Sequence, residues 1–247
     1  MIRLIVCGAS GHVGREAVRL AEEDPAFSVA ARVNRSGSDG CLSSIADVKD
    51  EADVIIDFSN HEGTAALIAY ALEKKLPLVI GTTGHTPEEL ELITKASEAL
   101  PVFKAANTSL GVAVLTSLIK QAVAAFPGAE IEIVETHHNR KLDAPSGTAL
   151  ALADAIASVR PDSKPVFGRS GRHKRESGEI GIHSLRMGNV VGEHEVIIDA
   201  CSETLVLTHK ANDRAMFADG ALSAAEFIVG RPAGLYGMEQ LIESMND

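Results

Sequence analysis

The chain has 247 residues, of which 45% are apolar, 23% charged and 4% aromatic, with a formal net charge of -11. That length holds one large domain or two modest ones and can bury a sizeable core, while the acidic balance argues against nucleic acid or an anionic membrane surface as the main partner. The cysteines Cys7, Cys41 and Cys201 are too scattered for a zinc or disulfide framework and suit a reducing compartment. No apolar run approaches the roughly 18 residues needed to cross a bilayer. The start, Met-Ile-Arg-Leu-Ile-Val-Cys-Gly, lacks a signal-peptide layout, so a cytoplasmic protein is expected.

In chain order, Ile2 to Cys7 is a β-branched-rich run ending at a glycine, which predicts a buried parallel strand. A glycine-rich turn follows, and Arg15 to Glu23 carries helical spacing. Phe27 to Val33 reads as a second strand and Asp53 to Phe58 as a third, followed by a helix from Glu62 to Lys75. Leu78 to Ile80 is a fourth strand, Pro87 to Leu100 its helix, and Val102 to Ala105 a fifth strand. This alternation predicts an N-terminal Rossmann-like parallel sheet with right-handed crossovers. The rhythm changes after Asn107. A helix from Leu110 to Phe126 leads to the alternating strand Glu130 to Glu135, and a further helix spans Gly147 to Val159. Ile180 to Met187, His194 to Cys201 and Thr204 to Lys210 are then strands with no helix between them, which predicts a mixed sheet in a smaller α+β domain. A last helix covers Ala215 to Val229. The expected organisation is a dinucleotide-binding domain over 1–108, with 215–247 returning to it, and a substrate-binding and oligomerisation domain over 109–214. The charge run from Arg169 to Arg175 reads equally as a solvated loop or as a lid.

Gly8, Gly11 and Gly14 form G-x-x-G-x-x-G between the first strand and the first helix. Glycine is required there because a Cβ would block the tight turn and the approach of a pyrophosphate, while the helix N-terminus offers N–H groups and partial positive charge. The end of the second strand, Ala31-Arg-Val-Asn34-Arg35, lacks the carboxylate that would accept from both ribose hydroxyls of NAD. Arg35 can pair with a 2′-phosphate and Asn34 can bond a hydroxyl, so NADPH is expected to be preferred, with NADH still usable. Gly81-Thr-Thr-Gly84 and Ala105-Ala-Asn-Thr108 close the fourth and fifth strands, where ligands of open parallel sheets bind. They read either as a nicotinamide face or as plain turns.

The densest chemistry is the run Glu135-Thr-His-His-Asn-Arg-Lys-Leu-Asp-Ala-Pro-Ser-Gly-Thr-Ala149. It places His137, His138 and Lys141 beside a fresh helix start, where the backbone N–H groups of Gly147 and Thr148 stabilise a carboxylate. Such a cluster suits a negatively charged small substrate that is protonated as it reacts. Zinc is the competing chemistry, but thiolate partners are missing and Lys141 would repel a cation, so no metal is expected.

The segments G-A-S-G-H-V-G, V-I-I-D-F-S, G-T-T-G, A-A-N-T-S-L-G-V, E-T-H-H-N-R-K-L-D-A-P-S-G-T-A and V-V-G-E-H-E-V, running from Gly8 to about Lys210, resemble the dihydrodipicolinate reductase (4-hydroxy-tetrahydrodipicolinate reductase) family. The resemblance implies NAD(P)H-dependent reduction of a cyclic imine dicarboxylate in the diaminopimelate route to lysine, by a homotetramer. It implies His137 as acid/base, Lys141 as proton donor, His138 on the substrate, and Gly147 and Thr148 on a carboxylate. Gly8, Ala9, Ser10, Gly11, His12 and Val13 would cradle the pyrophosphate. Asn34 and Arg35 would face the adenosine ribose, and Gly81, Thr82, Thr83, Ala105, Ala106, Asn107 and Thr108 the nicotinamide. Asn34 stands where the family often has an acidic residue, and Thr108 where it often has an aromatic. The residues alone leave open which of His137 and Lys141 delivers the proton. They also leave open another two-domain dehydrogenase of an amino-dicarboxylate, or an NADPH-sensing protein without turnover.

Overall fold

The apolar run Ile2–Cys7 forms β1, and α1 (His12–Glu23), β2 (Phe27–Val33), β3 (Val54–Asp57), α2 (Thr64–Lys74), β4 (Leu78–Ile80), α3 (Pro87–Ser97) and β5 (Pro101–Lys104) follow it. The computed structural model describes residues 1–245; residues 246 and 247, the end of the stretch expected to return to the first domain, lie outside the described residues. Beyond β5 come α4 (Leu110–Ala125), β6 (Glu130–His137), α5 (Gly147–Val159), β7 (Lys164–Phe167), β8 (Glu179–Arg186), β9 (Gly192–Asp199) and β10 (Thr204–Ala211). The described chain closes with α6 (Ala215–Ile228), β11 (Gly234–Tyr236) and α7 (Met238–Ser244). It divides into two units, Met1–Leu110 together with the segment from Ala215, and Gly111–Arg214.

In the first unit six strands run in the order β11-β5-β4-β3-β1-β2, every pair parallel. Val54, Ile55 and Ile56 have no exposed surface, as expected of a central strand covered on both faces. α6 packs on α1 and against β3, β4 and β5 within this unit. Because β2 and β3 flank β1 on opposite sides, the chain leaves β1 in opposite senses, and the crevice at the C-terminal end of β1 is the topological switch point where ligands of such sheets bind.

The second unit carries a mixed five-stranded sheet, β10-β9-β6-β8-β7, with β6 parallel to β8 and antiparallel to β9. One face is apolar: Ile131, Ile133, Ile180, Ile182, Val196 and Ile198 pack with Leu115, Ile119 and Val123 of α4 and Leu152 and Ile156 of α5. β6 runs on to His137, two residues beyond its expected end, because it pairs with β8 as far as Arg186. The short strands β7 and β11 and the helix α7 were not expected from the sequence. β7 is mostly exposed and β11 half-exposed, so neither shows the apolar run or alternation that marks a strand. Among the described residues no helix is long and apolar enough to cross a membrane.

Candidate active site

The turn after β1 is shaped by backbone crowding. Gly8 adopts φ +77°, and a Cβ on it would lie 2.2 Å from the carbonyl oxygen of Phe58. A Cβ on Gly14 would lie 2.1 Å from the carbonyl oxygen of Gly8, so the helix can sit on its own turn only with glycine there. Gly11 is the N-cap of α1 and has no side-chain cap, which leaves the first-turn N–H groups around His12 and Val13 open to an anion. Gly8 and Ala9 donate their N–H groups to Val33 O, tying the turn to the end of β2. Ala9 is buried, Ser10 and Val13 are half-buried, and Gly11 and His12 are exposed.

Beside this turn lies a cavity of about 280 Å³ lined by Gly8, Asn34, Arg35, Ser44, Asp57 and Glu62 among others. Its size and its place at the switch point fit the adenosine half of a dinucleotide. Asn34 is buried and spends its side chain locally, donating to Ser38 O at 3.1 Å and accepting from Ser36 Oγ at 3.1 Å. Arg35 is exposed and pairs with Glu62 at 3.1 Å, so the cavity rim carries an acid that sequence reasoning overlooked.

The ends of β4 and β5 divide what was grouped as one nicotinamide face. Thr82 donates to the buried carboxylate of Asp57 at 2.6 Å, and Ser59 donates to its other oxygen. Burial raises the Asp57 pKa, and these hydroxyls act against the rise. Thr108 is buried too, and its hydroxyl donates to Phe217 O of α6 at 2.6 Å. The protons of both hydroxyls are therefore committed to the fold. The position expected of Gly81 is crowded, since a Cβ there would stand 2.2 Å from the Phe58 ring. Thr83 and Ala106 are exposed, Ala105 is buried, and Asn107 accepts from the N–H of Ser109 at 2.9 Å.

In the second unit the apolar sheet face changes character at one end. Along β6 the buried positions read Ile131, Ile133, Glu135, His137, and β8 continues Ile180 and Ile182 with Ser184 and Arg186 on the same face. β9 reaches the same end with Val196 and His194, the latter opposite Glu135. Glu135 has no exposed surface, yet each of its oxygens holds two donors. Oε1 accepts from Arg186 at 2.8 Å and from Ser146 N–H at 3.0 Å; Oε2 accepts from Arg186 at 2.8 Å and from His137 Nδ1 at 2.6 Å. Burial pushes this carboxyl up, but Arg186, His137, Ser184 and the Ser146 N–H outweigh it and hold it at about 2. The His137 and His194 rings meet edge to face with centroids 5.3 Å apart. Burial, helped by His137, holds the His194 ring down at about 4. Its Nε2 lies 3.0 Å from the hydroxyl of Ser146, which also accepts from Ala149 N–H and so caps α5. In the sequence Ser146 reads only as a candidate cap of the following helix, a role it fills, and Glu135, Arg186 and His194 carry no assigned role. The available signal was the in-face alternation itself, three strands turning from apolar to polar at equivalent positions.

Around this buried cluster stand the remaining expected residues. Lys141 is mostly covered and its Nζ lies 2.9 Å from Asp143, whose carboxyl it lowers. His138 places Nε2 3.3 Å from Arg214, a further unforeseen cation, while its buried Nδ1 has no partner among the described residues. Burial and the cations Arg140 and Arg214 lower its pKa. Gly147 is exposed at the first turn of α5, and a Cβ there would meet nothing within 4 Å, so open space faces the helix N-terminus. Thr148 follows it, half-buried. The structure thus gathers His137, His138, Lys141, Gly147 and Thr148 at one end of one sheet. Among the described residues no group of three or more His, Cys, Asp or Glu is placed to hold a metal ion.

A parallel sheet with an uncapped, glycine-built turn at its switch point defines the class: a protein with a Rossmann-type nucleotide-binding unit. Residues 2–108 match the family model described as dihydrodipicolinate reductase, N-terminus, and residues 111–242 match its C-terminus counterpart. The chain is 46% identical over 248 residues to the 4-hydroxy-tetrahydrodipicolinate reductase of Caldanaerobacter subterraneus subsp. tengcongensis, covering 98% of this chain and 99% of that one. It is 40% identical over 250 residues to the enzyme of the same description from Clostridium tetani, covering 99% and 98%. Among solved structures, the dipicolinate-bound dihydrodipicolinate reductase of Paenisporosarcina sp. TG-14 superposes with a TM-score of 0.81 at 27% identity over 97% of this chain and 99% of that one. The chain belongs to the dihydrodipicolinate reductase family and serves as a reductase of the diaminopimelate route to lysine.

Proposed function

We propose that this chain reduces 4-hydroxy-tetrahydrodipicolinate to tetrahydrodipicolinate in the cytoplasm, as a homotetramer, with NADPH preferred over NADH. The observation that carries the reading is the gathering of His137, His138 and Lys141 beside the open N-terminus of α5. The relative with dipicolinate bound supports a planar dicarboxylate as the class of ligand.

Gly8 to Val13 would hold the pyrophosphate through backbone N–H groups, and Arg35 the 2′-phosphate at the cavity rim. When bound, the reduced nicotinamide supplies the hydride for ring C4. The N–H groups of Gly147 and Thr148 then hold one substrate carboxylate by dipole and hydrogen bond. His138, with Arg214 behind it, holds the other polar edge. The 4-hydroxyl leaves as water to give the conjugated ring imine whose C4 takes the hydride; negative charge then develops on the ring, and Lys141 or His137 delivers the proton that neutralises it. Fixed positive groups at that spot act where charge develops, which is worth a few kcal/mol per group in a dry site. For this Lys141 would leave Asp143, whose carboxylate is solvent-exposed and so binds it only weakly.

Steady-state turnover with freshly generated substrate tests the reading. NADPH is expected to give the higher kcat/KM. A clearly higher value with NADH would remove the cofactor preference, and no turnover with either would remove the substrate assignment.

A further inference from the structure

We propose that the buried Glu135–Arg186 pair is a positioning device for His137, fixing its ring with Nδ1–H turned inward and Nε2 presented to the substrate. The proposal rests on His137 taking part in proton transfer. Its grounds lie in the geometry of the network. The Glu135 carboxylate is held from several sides, by two bonds from Arg186, one from Ser146 N–H and one from His137 Nδ1, which together fix its orientation. Arg186 is itself tied down, donating to Asp143 O at 2.7 Å and to Leu185 O at 2.7 Å. That first contact extends the network into the short loop that carries Lys141. Gly192 completes the seat, because a Cβ there would come within 3.0 Å of His137 Nε2 and push the ring away.

Stability alone does not account for this arrangement. The positions before it on the same face are Ile131 and Ile133, and a third apolar side chain would continue that core. Replacing a buried ion pair by packed apolar residues is often neutral or stabilising, whereas removing one partner is strongly destabilising. A carboxylate at position 135 is therefore better explained by what it does to its neighbour. A permanently charged acceptor at Nδ1 stabilises one neutral tautomer, the one whose Nε2 carries the lone pair and can take up or pass on a proton. It also remains ionised down to about 2, so it offers this hydrogen bond throughout the working range.

The test uses the full-length protein. In the wild type, ring ¹⁵N NMR of neutral His137 is expected to show the Nδ1–H tautomer; the Nε2–H tautomer would overturn the proposal. Glu135→Gln keeps the volume but can turn its amide N–H₂ toward the ring. It is expected to lower kcat about a hundredfold, the lower end of what a positioned acid or base contributes, while KM for NADPH stays unchanged. The same substitution made in a His137→Ala background is expected to change kcat less than twofold, because the groups act as one unit. A folded Glu135→Gln enzyme with wild-type kcat, or an equal loss in both backgrounds, would overturn the proposal. If Glu135→Gln fails to fold, the wild-type tautomer decides. Wild-type turnover by His137→Ala alone would instead defeat the proton-transfer reading, which the NMR result does not touch.

Discussion

The two units make their sites from opposite materials. At the glycine-rich turn almost nothing is done by side chains: Gly8, Gly11 and Gly14 are there for what they lack, and the proposed anion site is an uncapped helix end. At the polar end of the second sheet nearly everything is done by side chains, with Glu135, His137, Ser146, Arg186 and His194 knit into a buried network. A site made of backbone tolerates changes of charge around it but not an added methyl group. A site made of buried charge is the reverse, intolerant of a lost partner and able to carry proton chemistry.

The largest effect that would sharpen this contrast is on turnover. Lys141→Ala and His137→Ala are each expected to lower kcat by about 10² to 10⁴, the range for a positioned general acid or base, with little change in NADPH affinity. Stopped-flow NADPH oxidation and cofactor titration separate the two quantities.

The mirror-image experiment is Gly14→Ala. The new Cβ meets the Gly8 carbonyl, so the helix end is pushed off the turn. NADPH binding is expected to weaken at least tenfold, about 1.4 kcal/mol, while binding of dipicolinate at the proposed substrate site is kept. Calorimetric titration of each ligand checks it, and equal loss of both would erase the distinction between the sites.

The buried network also predicts a stability profile. The His194 ring titrates at about 4 when folded against 6.5 when free, so the unfolded chain binds more protons between those values. Stability is therefore full above pH 6.5 and is lost as the pH falls towards 4, by about 3 kcal/mol for a 2.5-unit shift. Glu135 adds a second loss at lower pH, from its ordinary 4.5 down towards 2. Thermal melts across this range should show the first fall flattened in His194→Asn, if that variant folds with a neutral side chain in the same place.

The smallest effect lies at the cavity rim. Glu62→Gln would free Arg35 and remove a charge that opposes a 2′-phosphate. Because the pair is exposed, the ratio of kcat/KM with NADPH to that with NADH is expected to rise only about two- to fivefold, as an exposed pair is worth under about 1 kcal/mol. The ratio of kcat/KM values reports it.

Much of this architecture was legible in the sequence because burial writes itself into runs and alternations. Val54-Ile-Ile56 marks a strand covered on both faces, and Glu130 to Glu135 one covered on a single face. The strands β7 and β11 left no such trace, being short and only lightly buried. In the site, His137, His138 and Lys141 were found because they crowd together along the chain, whereas the network of Glu135 with Arg186, Ser146 and His194 forms only in the folded sheet. Arg186 meets His137 solely because β8 lies parallel to β6, and His194 meets Glu135 through the antiparallel β9. Thr82 and Thr108 show the converse, since their hydroxyls look ligand-ready in sequence but are taken by Asp57 and by α6.

Proton delivery by Lys141 and His137 is probed by a single-turnover experiment on the double variant Lys141→Ala/His137→Ala, preloaded with NADPH and mixed with fresh substrate. The account predicts that NADPH binds within about twofold of wild type, far less than the tenfold that 1.4 kcal/mol would give, and that its oxidation slows by orders of magnitude. Oxidation at the wild-type rate by that variant would contradict it.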